Sequence, residues 1–378
     1  MMKTRLMKHA VPAAFFLLLA LGAPAEPLRL LDTPDAWEQL HGSENSFHFR
    51  DGELTTRSTG HEPSTLITVE DYENFTASFE FMLSRWGQSG FYIHAPRIQG
   101  AWRAAIQVQF ADGRSGPPPL FETGALHGRI APLTQAVKDA GEWNTCEVSM
   151  NWPHLRVLIN GEVVQDLDLS AHEETKYGLR RGALGFQNDG STTRIRNLEI
   201  TRLPDTLEYH ELFDGESLEG WEVVRGDVEW TVRDGVIYAE NGDGYLRNEM
   251  VAQDFDLRLL YRTSHRANGG VFFRWPSYDP ETGADRGHEI QVYDVDDAVM
   301  PSGSVYAVDR GSDLAFRPGE WNLLHIVVED GRAVTLVNGI RSSETGALRV
   351  VRPGHICLQM HSRNAWIEYT DFVLIVND

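Results

Sequence analysis

The stretch Arg156-Val157-Leu158-Ile159-Asn160-Gly161 decides the fold, because it joins an alternating run to the dipeptide that most strongly indicates a β-hairpin. The same dipeptide follows another such run at Asn338-Gly339, 178 positions later. Short alternating runs recur along the chain, as at Ala77 to Phe81 and Leu323 to Val328, and Gly, Asp and Asn separate them. Long segments with helical periodicity are almost absent. The pattern predicts an all-β protein.

The hairpin dipeptide is one of five matches between the two halves of the chain. The others pair Gly141-Glu142-Trp143-Asn144 with Gly319-Glu320-Trp321-Asn322, Ser89-Gly90-Phe91-Tyr92 with Gly269-Gly270-Val271-Phe272, Ile106-Gln107-Val108 with Ile290-Gln291-Val292, and Thr123-Gly124-Ala125 with Ser302-Gly303-Ser304. The matches keep their order at nearly constant offset, which predicts a tandem duplication with copies at 26–204 and 205–378. Many short strands at this spacing favour a β-sandwich or jelly roll for each copy.

Residues 1–25 are predicted to be a secretory leader. Basic residues precede the apolar run Val11 to Leu21, which ends at Ala23-Pro24-Ala25, and this order is typical of a signal peptide cleaved after Ala25. The mature protein is therefore expected in the periplasm or outside the cell. The run is too short to cross a bilayer, and no later segment approaches about 20 apolar residues, so no membrane span is predicted.

The chain is strongly acidic, with 55 Asp and Glu against 34 Lys and Arg and a net charge of -21. Such a charge disfavours nucleic acid and anionic lipid as partners. The two cysteines, Cys146 and Cys357, lie in apolar runs of different copies. This placement favours two separately buried thiols, with a disulfide as the alternative that the even count leaves open.

Strand alternation predicts a shared polar face in the second copy. Ile290 and Val292 form the buried side of the run 288–293. The outward positions on this strand and on two others are Glu289, Gln291, Tyr293, Arg274, Gln359 and His361. If the three strands are neighbours, these side chains form a concave surface with an acid, a cation and an imidazole, and Asp294 lies at its rim. The alternative is an ordinary solvated face with a cross-strand ion pair.

Further residues are candidates for contact with a sugar. Asn268, Trp275 and Tyr306 join Gln291, Tyr293 and Gln359 in the predicted substrate-binding set. The rings of Trp86, Trp102 and Trp275 suit the apolar faces of pyranoses, whereas Trp143 and Trp321 are predicted to be core residues because they occupy matched repeat positions.

The first copy differs at the positions that carry the chemistry. Aligning the repeats places His94 at Arg274, Ala105 at Glu289 and Asp189 at His361, while Gln107 and Gln187 keep the two glutamines. The first copy is therefore expected to lack the same chemistry, and to serve in binding, in structure or on another substrate.

The motifs of the second copy resemble those of one family. They are Leu212-Phe213-Asp214-Gly215, Trp230-Thr231-Val232-Arg233-Asp234-Gly235-Val236, Asn268-Gly269-Gly270-Val271-Phe272-Phe273-Arg274, Glu289-Ile290-Gln291-Val292, Gly319-Glu320-Trp321-Asn322 and Asn338-Gly339. This copy resembles the 3-keto-disaccharide hydrolase-like family over nearly its whole length, and the first copy resembles it more loosely. The resemblance implies a concanavalin A-like jelly roll that acts on a glycoside or oligosaccharide. It further implies cleavage of 3-keto-glycosides by 1,2-elimination, hydration of the resulting 3-keto-2-hydroxyglucal, or both.

The implied chemistry assigns roles to the candidate residues. A ketone at C3 acidifies the C2 proton, so Glu289 or His361 acts as base, and the other of these two, or Asp294, protonates the leaving oxygen. Arg274 and Gln291 hold the enolate oxygen. No nicotinamide is needed, because a separate upstream dehydrogenase makes the ketone. No cofactor is evident, and a divalent metal stays open.

Two other functions are weighed against the enzyme. A tandem lectin-like protein would capture glycans without cleaving them, since jelly rolls often bind sugars. An ordinary endoglycosidase would carry paired carboxylates on one strand face. The strand here presents Glu289, Gln291 and Tyr293, with no second carboxylate in phase, which argues against the endoglycosidase.

Overall fold

The structure is a computed structural model that describes residues 26–57, 63–113, 116, 118–277 and 286–377. The predicted leader, residues 1–25, lies outside these ranges. In the first copy the strands are β1 (Trp37–His41), β2 (Phe47–Arg50), β3 (Glu53–Thr56), β4 (Ser64–Tyr72), β5 (Phe75–Leu83), β6 (Gln88–Ala95), β7 (Ile106–Ala111), β8 (Asn144–Asn151), β9 (His154–Ile159), β10 (Glu162–Asp168), β11 (Gly182–Asn188) and β12 (Thr193–Arg202).

The second copy repeats this all-β pattern. Its strands are β13 (His210–Glu211), β14 (Trp221–Gly226), β15 (Trp230–Arg233), β16 (Val236–Ala252), β17 (Phe255–Thr263), β18 (Gly269–Trp275), β19 (His288–Val292), β20 (Asn322–Glu329), β21 (Arg332–Val337), β22 (Ile340–Thr345) and β23 (Gly354–Val376). Short 3-10 helices occur at Leu30–Asp32, Pro34–Ala36, Ala101–Arg103, Pro119–Phe121 and Leu169–Ala171. Within the described ranges, no helix is long and apolar enough to cross a membrane.

The two hairpin dipeptides form the turns that the sequence predicts. Asn160 and Gly161 join β9 to β10, and Asn338 and Gly339 join β21 to β22. All four residues have positive φ, between 51° and 81°. A two-residue turn with positive φ at both positions matches the twist of its strands, which is why Asn-Gly is favoured there.

Each copy is a two-layered sandwich, and the tandem jelly-roll prediction is confirmed. In the first copy one layer has the order β1-β4-β11-β6-β7 and the other β10-β9-β8-β5-β12-β3-β2. Burial alternates residue by residue along β5 and β8, because one face of each strand packs on the core and the other faces out. Two separate cores result, one from residues between Leu31 and Ile200 and one from residues between Leu212 and Leu374.

Two long strands connect the layers of the second copy. β16 has 17 residues and β23 has 23, and each pairs with different neighbours along its length. The first part of β23 pairs with β18 and its last part pairs with β17. On the far side of β18 lies β19, so the three strands that carry the predicted polar face are neighbours, in the order β19-β18-β23.

The copies meet at a packed junction. Arg258 of the second copy donates to Asp71 of the first over 3.1 Å and to the carbonyl of Arg181 over 2.8 Å, and both side chains of the ion pair are buried. Beside this pair, an apolar cluster joins Ile98, Ala104 and Leu179 to Leu260 and Leu323. Ion pair and cluster together hold the two sandwiches in contact.

The cysteine prediction is confirmed, and the tryptophan prediction is partly wrong. Cys146 and Cys357 are free and buried. Trp143 and Trp321 are only half-buried, because arginine side chains cover them instead of the opposite sheet. Arg196 lies over Trp143 and Arg262 lies over Trp321.

Candidate functional site

A cavity of about 620 Å³ opens on the face of the sheet formed by β16, β23, β18 and β19. Its lining includes Tyr245, Asn268, Arg286, Glu289, Gln291, Tyr306, Arg349, Gln359 and His361. Six of the predicted site residues lie together here, namely Asn268, Glu289, Gln291, Tyr306, Gln359 and His361. The cavity is therefore the candidate active site.

Backbone register explains how the floor of the cavity is built. Gln291, Gly270, Gln359 and Tyr245 stand opposite one another on four adjacent strands, so they form one row on the same face. Gly270 interrupts the row with no side chain. A Cβ atom at this position would lie 2.6 Å from Oε1 and 2.8 Å from Cγ of Glu289. The carboxyl group of Glu289 therefore lies directly over Gly270, in space that only glycine leaves free.

The carboxyl group of Glu289 has a raised pKa. Burial raises the pKa of its carboxyl group to about 8, and the nearby positive charge of Arg286 opposes this shift only in part. At neutral pH the group is mainly a carboxylic acid, which is the form that a proton donor requires.

Amide and phenol groups surround this acid. Gln291 Nε2 donates to Asn268 Oδ1 over 2.6 Å, and Gln359 Nε2 donates to the hydroxyl of Tyr245 over 2.9 Å. Arg286 Nη1 donates to the same hydroxyl, also over 2.9 Å. Because that oxygen accepts two hydrogen bonds, the proton of Tyr245 is available to a ligand, and burial raises the pKa of Tyr245, which keeps the proton on the phenol.

His361 and Tyr306 lie at the rim. His361 is exposed, and its Nδ1 lies 3.3 Å from Oδ1 of Asp243 on the adjacent β16. Its position is one strand and two residues away from Gly270, about 8 Å at ordinary strand spacings. Tyr306 is 51% exposed, and its backbone N–H donates to the carbonyl of Glu289. The imidazole of His361 and the carboxyl group of Glu289 thus line the same cavity, one at its rim and the other over its floor.

Arg274 does not line the cavity, which corrects the sequence prediction. Pairing of β18 with β23 shifts register between Phe272 and Trp275, and Arg274 has a φ of 55°. This bulge breaks the alternation and turns the guanidinium away from the face that Phe272 shares. Arg274 is 1% exposed and donates to the carbonyls of Gln253 and Val350, over 3.0 and 2.7 Å, and to Asp254.

Asp294, Tyr293 and Trp275 are also placed outside the cavity lining. Asp294 is in phase with the buried Ile290 and Val292, so it points into the core rather than to the rim. There it accepts hydrogen bonds from Tyr261 over 3.0 Å and Ser302 over 2.5 Å, and burial raises its pKa to about 6. Tyr293 is half-buried next to it.

Trp275 is fully buried beneath the cavity. Its ring packs against those of Tyr245 and Phe272, with centroids 5.0 and 5.3 Å away. It supports the cavity floor and offers no face to a sugar.

Arg286 and Tyr245 are among the residues of the cavity that sequence reasoning missed. Arg286 ends the Pro- and Gly-rich segment before β19, and its guanidinium lies over the rings of Tyr245 and Trp275. A signal for it existed, because ligand contacts concentrate in such loops. Tyr245 lies inside the 17-residue β16, where no turn marks which part of the strand faces the cavity.

A comparison with protein-family models decides the family. The model described as the 3-keto-alpha-glucoside-1,2-lyase-like domain matches residues 29–201 and again residues 208–372. The chain belongs to this family. Both copies are thus lyase-like domains, and membership supports a carbohydrate-related function. A comparison with curated proteins finds no match.

Several solved structures are similar to single lyase-like domains of this chain. One, from Parabacteroides distasonis and provisionally named a glycosyl hydrolase, is 22% identical, with a TM-score of 0.40 over 45% of this chain and 89% of its own. The carbohydrate-binding module CBM66 from Bacillus subtilis is 12% identical, with a TM-score of 0.33 over 44% of this chain and 95% of its own.

The first lyase-like domain carries glutamine where the second carries Glu289. The backbone N–H of Tyr306 donates to the carbonyl of Glu289, and that of His127 donates to the carbonyl of Gln107. Gln107 also lies over Gly90, as Glu289 lies over Gly270. The structural counterpart of Glu289 is therefore Gln107, and the predicted counterpart Ala105 is wrong. An amide has replaced the acid.

The polar face of the first domain is also closed. Gln107 and Gln109, at the positions of Glu289 and Gln291, are 2% and 1% exposed. An apolar cluster that includes Ala101 and Ala105 packs on this domain's five-stranded layer. Within the ranges 26–57, 63–113, 116, 118–277 and 286–377, no group of three or more His, Cys, Asp or Glu side chains is arranged to hold a metal ion.

Proposed function

We propose that the second domain cleaves 3-keto-glycosides by 1,2-elimination, and hydrates the 3-keto-2-hydroxyglucal product by the reverse proton transfers. The observation that supports this most directly is the position of the Glu289 carboxyl group, held over Gly270 beside Arg286 and the hydroxyl of Tyr245, where burial raises its pKa to about 8. We also propose that the protein is exported from the cytoplasm and that a separate dehydrogenase oxidises the glycoside to the 3-keto form.

Each residue has a separate role in the proposed elimination. His361, oriented by Asp243, removes the proton from C2, and the electron pair passes into an enolate at C3. Arg286 and the phenol of Tyr245 donate to the enolate oxygen, the role that sequence reasoning gave to Arg274. The electron pair then forms the C1–C2 double bond as the C1–O bond breaks, and Glu289 protonates the departing oxygen. No electrons are gained or lost overall.

The amides fix the orientation of the sugar. Asn268, Gln291 and Gln359 leave acceptor or donor positions for ring hydroxyls, and Tyr306 offers an exposed ring at the rim. Since these groups are neutral, the same cavity also suits glycan binding without cleavage, which is the second candidate function.

The test is incubation of the protein with α- and β-linked 3-keto-glucosides, following aglycone release and the ultraviolet absorbance of the enone. We expect release that falls by about 10²-fold or more in Glu289→Gln and His361→Ala. Turnover should decline above pH 8 as Glu289 loses its proton.

Glu229→Gln, an exposed carboxylate of the same domain, is the matched control and should keep full turnover. Retained binding of the glycoside with no release from any linkage would replace the lyase proposal by the glycan-binding one. Release unchanged in Glu289→Gln would refute the role of that residue.

A further inference from the structure

A second cavity, of about 190 Å³, lies at the junction of the two domains. The first domain contributes Arg103, Arg129 and Tyr177, and the second contributes His325 and Arg341. Because the Arg258–Asp71 pair and the apolar cluster hold the domains together beside it, the walls of this junction cavity are preformed. It shares no lining residue with the cavity of Glu289.

Two arginines of the junction cavity, Arg103 and Arg129, have no carboxylate partner in the part of the chain that the structure describes. Arg129 Nη2 donates to the backbone carbonyl of Arg103, and the guanidinium of Arg103 lies over the ring of Trp102, 5.1 Å from its centroid. Among the described residues neither forms an ion pair with a carboxylate. This is unexpected in a chain with 55 acidic and 34 basic residues. Burial lowers the pKa of Arg129, because its charge is withdrawn from water without a compensating anion.

Two acids, Glu173 and Glu174, also line the cavity, and among the described residues neither forms an ion pair with Arg103 or Arg129. Glu173 is exposed and already pairs with Lys176 over 2.6 Å and with Arg341 over 3.3 Å. Glu174 is exposed. A third arginine, Arg317, lies near Arg103. Burial and the charge of Arg103 lower the pKa of Arg317, and the charge of Glu320 opposes this shift. Within the described ranges, positive charge without a paired carboxylate is therefore found around Arg103 and Arg129, whereas Arg258 at the same junction pairs with Asp71 and Asp371.

We propose that the junction cavity binds a small organic anion, a carboxylate- or phosphate-bearing molecule no larger than a monosaccharide. Arginine forks match carboxylate and phosphate oxygens in a bidentate manner, so Arg103 and Arg129 hold the charged group. Leu179, Leu323 and Leu336 provide an apolar wall for the organic part. The cavity volume of about 190 Å³ suits a molecule of monosaccharide size.

Isothermal titration with glucuronate, glucose 6-phosphate, inorganic phosphate and glucose tests this proposal on the intact chain. We expect at least one of the two organic anions to bind, and glucose not to bind, at about 10 mM ligand, where a millimolar Kd is detected. Arg103→Met and Arg129→Met should each weaken binding about ten- to hundredfold, since each removes a charge-assisted hydrogen bond. Inorganic phosphate should bind more weakly than either organic anion, because it lacks a part that contacts the leucines.

Three controls separate this site from others. Arg85→Met removes a surface arginine whose guanidinium lies over Trp86, and it should leave binding unchanged. Arg286→Met, in the cavity of Glu289, should also leave binding unchanged. Arg129→Lys keeps the charge and should restore part of the affinity, which distinguishes recognition from a folding defect.

The proposal is overturned if neither organic anion binds, or if glucose binds equally well. It is equally overturned if binding persists in Arg103→Met and Arg129→Met, or is lost in Arg286→Met, because the ligand then occupies another site. Because none of these variants except Arg286→Met touches the cavity of Glu289, lyase activity and anion binding can fail independently.

Discussion

At the scale of single residues, the site depends on a carboxyl group that the fold keeps protonated. The pKa of Glu289 is about 8 in the folded chain, against an ordinary value of 4.5. Between these pH values the native state binds more protons than the unfolded state, so the free energy of unfolding falls as pH rises through this window. Ionisation of Glu289 in its native position therefore lowers the stability of the folded protein.

Glu289→Gln should therefore stabilise the protein at alkaline pH. The amide cannot ionise, so the loss of stability above pH 4.5 that Glu289 causes disappears, a gain of a few kcal/mol at most near pH 8. Thermal unfolding of wild type and variant between pH 4 and 9 measures the effect. The two melting temperatures should converge at pH 4, and a constant difference across the range would contradict the assignment.

Gly270→Ala should abolish turnover by moving that carboxyl group. A Cβ atom would lie 2.6 Å from Glu289 Oε1, so the side chain must shift away from the cavity floor. We expect a loss of stability of about 1–3 kcal/mol from overpacking, together with the loss of activity. Gly90→Ala is the matched control, because it crowds Gln107 in the same way. It should destabilise the protein and leave turnover intact.

At the scale of elements, the bulge in β18 gives Arg274 a structural role, because it directs the side chain to backbone carbonyls outside the cavity. His94 occupies the same place in the first domain, also with a φ of 55°, and its ring nitrogens lie 2.8 and 2.7 Å from the carbonyls of Glu73 and Leu179. In both domains a long polar side chain thus links two backbone segments across the end of the strand.

Arg274→Ala should reduce the free energy of unfolding by about 2–4 kcal/mol, because it removes a buried guanidinium and leaves two partly buried carbonyls and Asp254 without this donor. Arg274→His, which copies the first domain, should recover part of the loss. Urea unfolding measures both. If Arg274→Ala instead removed turnover at unchanged stability, Arg274 would belong to the chemistry after all.

Local signals made the fold and much of the site predictable. Asn-Gly turns and period-two runs act within a few residues, so they are legible in sequence, and alternation placed Glu289, Gln291 and Gln359 on one face. Alternation failed at Arg274 because a bulge is a tertiary feature. The repeat alignment failed at Glu289 because Ile106-Gln107-Val108-Gln109 fits the second domain in two registers, and only strand pairing decides between them.

At the scale of the whole molecule, the contacts at the junction couple the two sandwiches, so we expect them to unfold together. Arg258→Met would leave Asp71 and Asp371, whose side chains are 13% and 30% exposed, without this cation, although Arg97 still donates to Asp71 over 2.6 Å. We expect calorimetry to show one transition for the wild-type chain, whose domains are coupled, and two transitions for Arg258→Met. Arg262→Met, on the same strand but in a more exposed pair with Glu368, is the control and should keep one transition. A single transition in Arg258→Met would show that the apolar cluster alone couples the domains.

The length of β23 has a consequence for how the second domain is made in the cell. This strand pairs with β13, β16, β17 and β18, and it follows all of them in the chain. During synthesis, the second sandwich cannot close until the residues up to Val376 have emerged from the ribosome, whereas the last strand of the first domain ends at Arg202. The first domain can therefore fold while the second domain is still being synthesised. Its side of the junction is then already formed when the second domain folds against it.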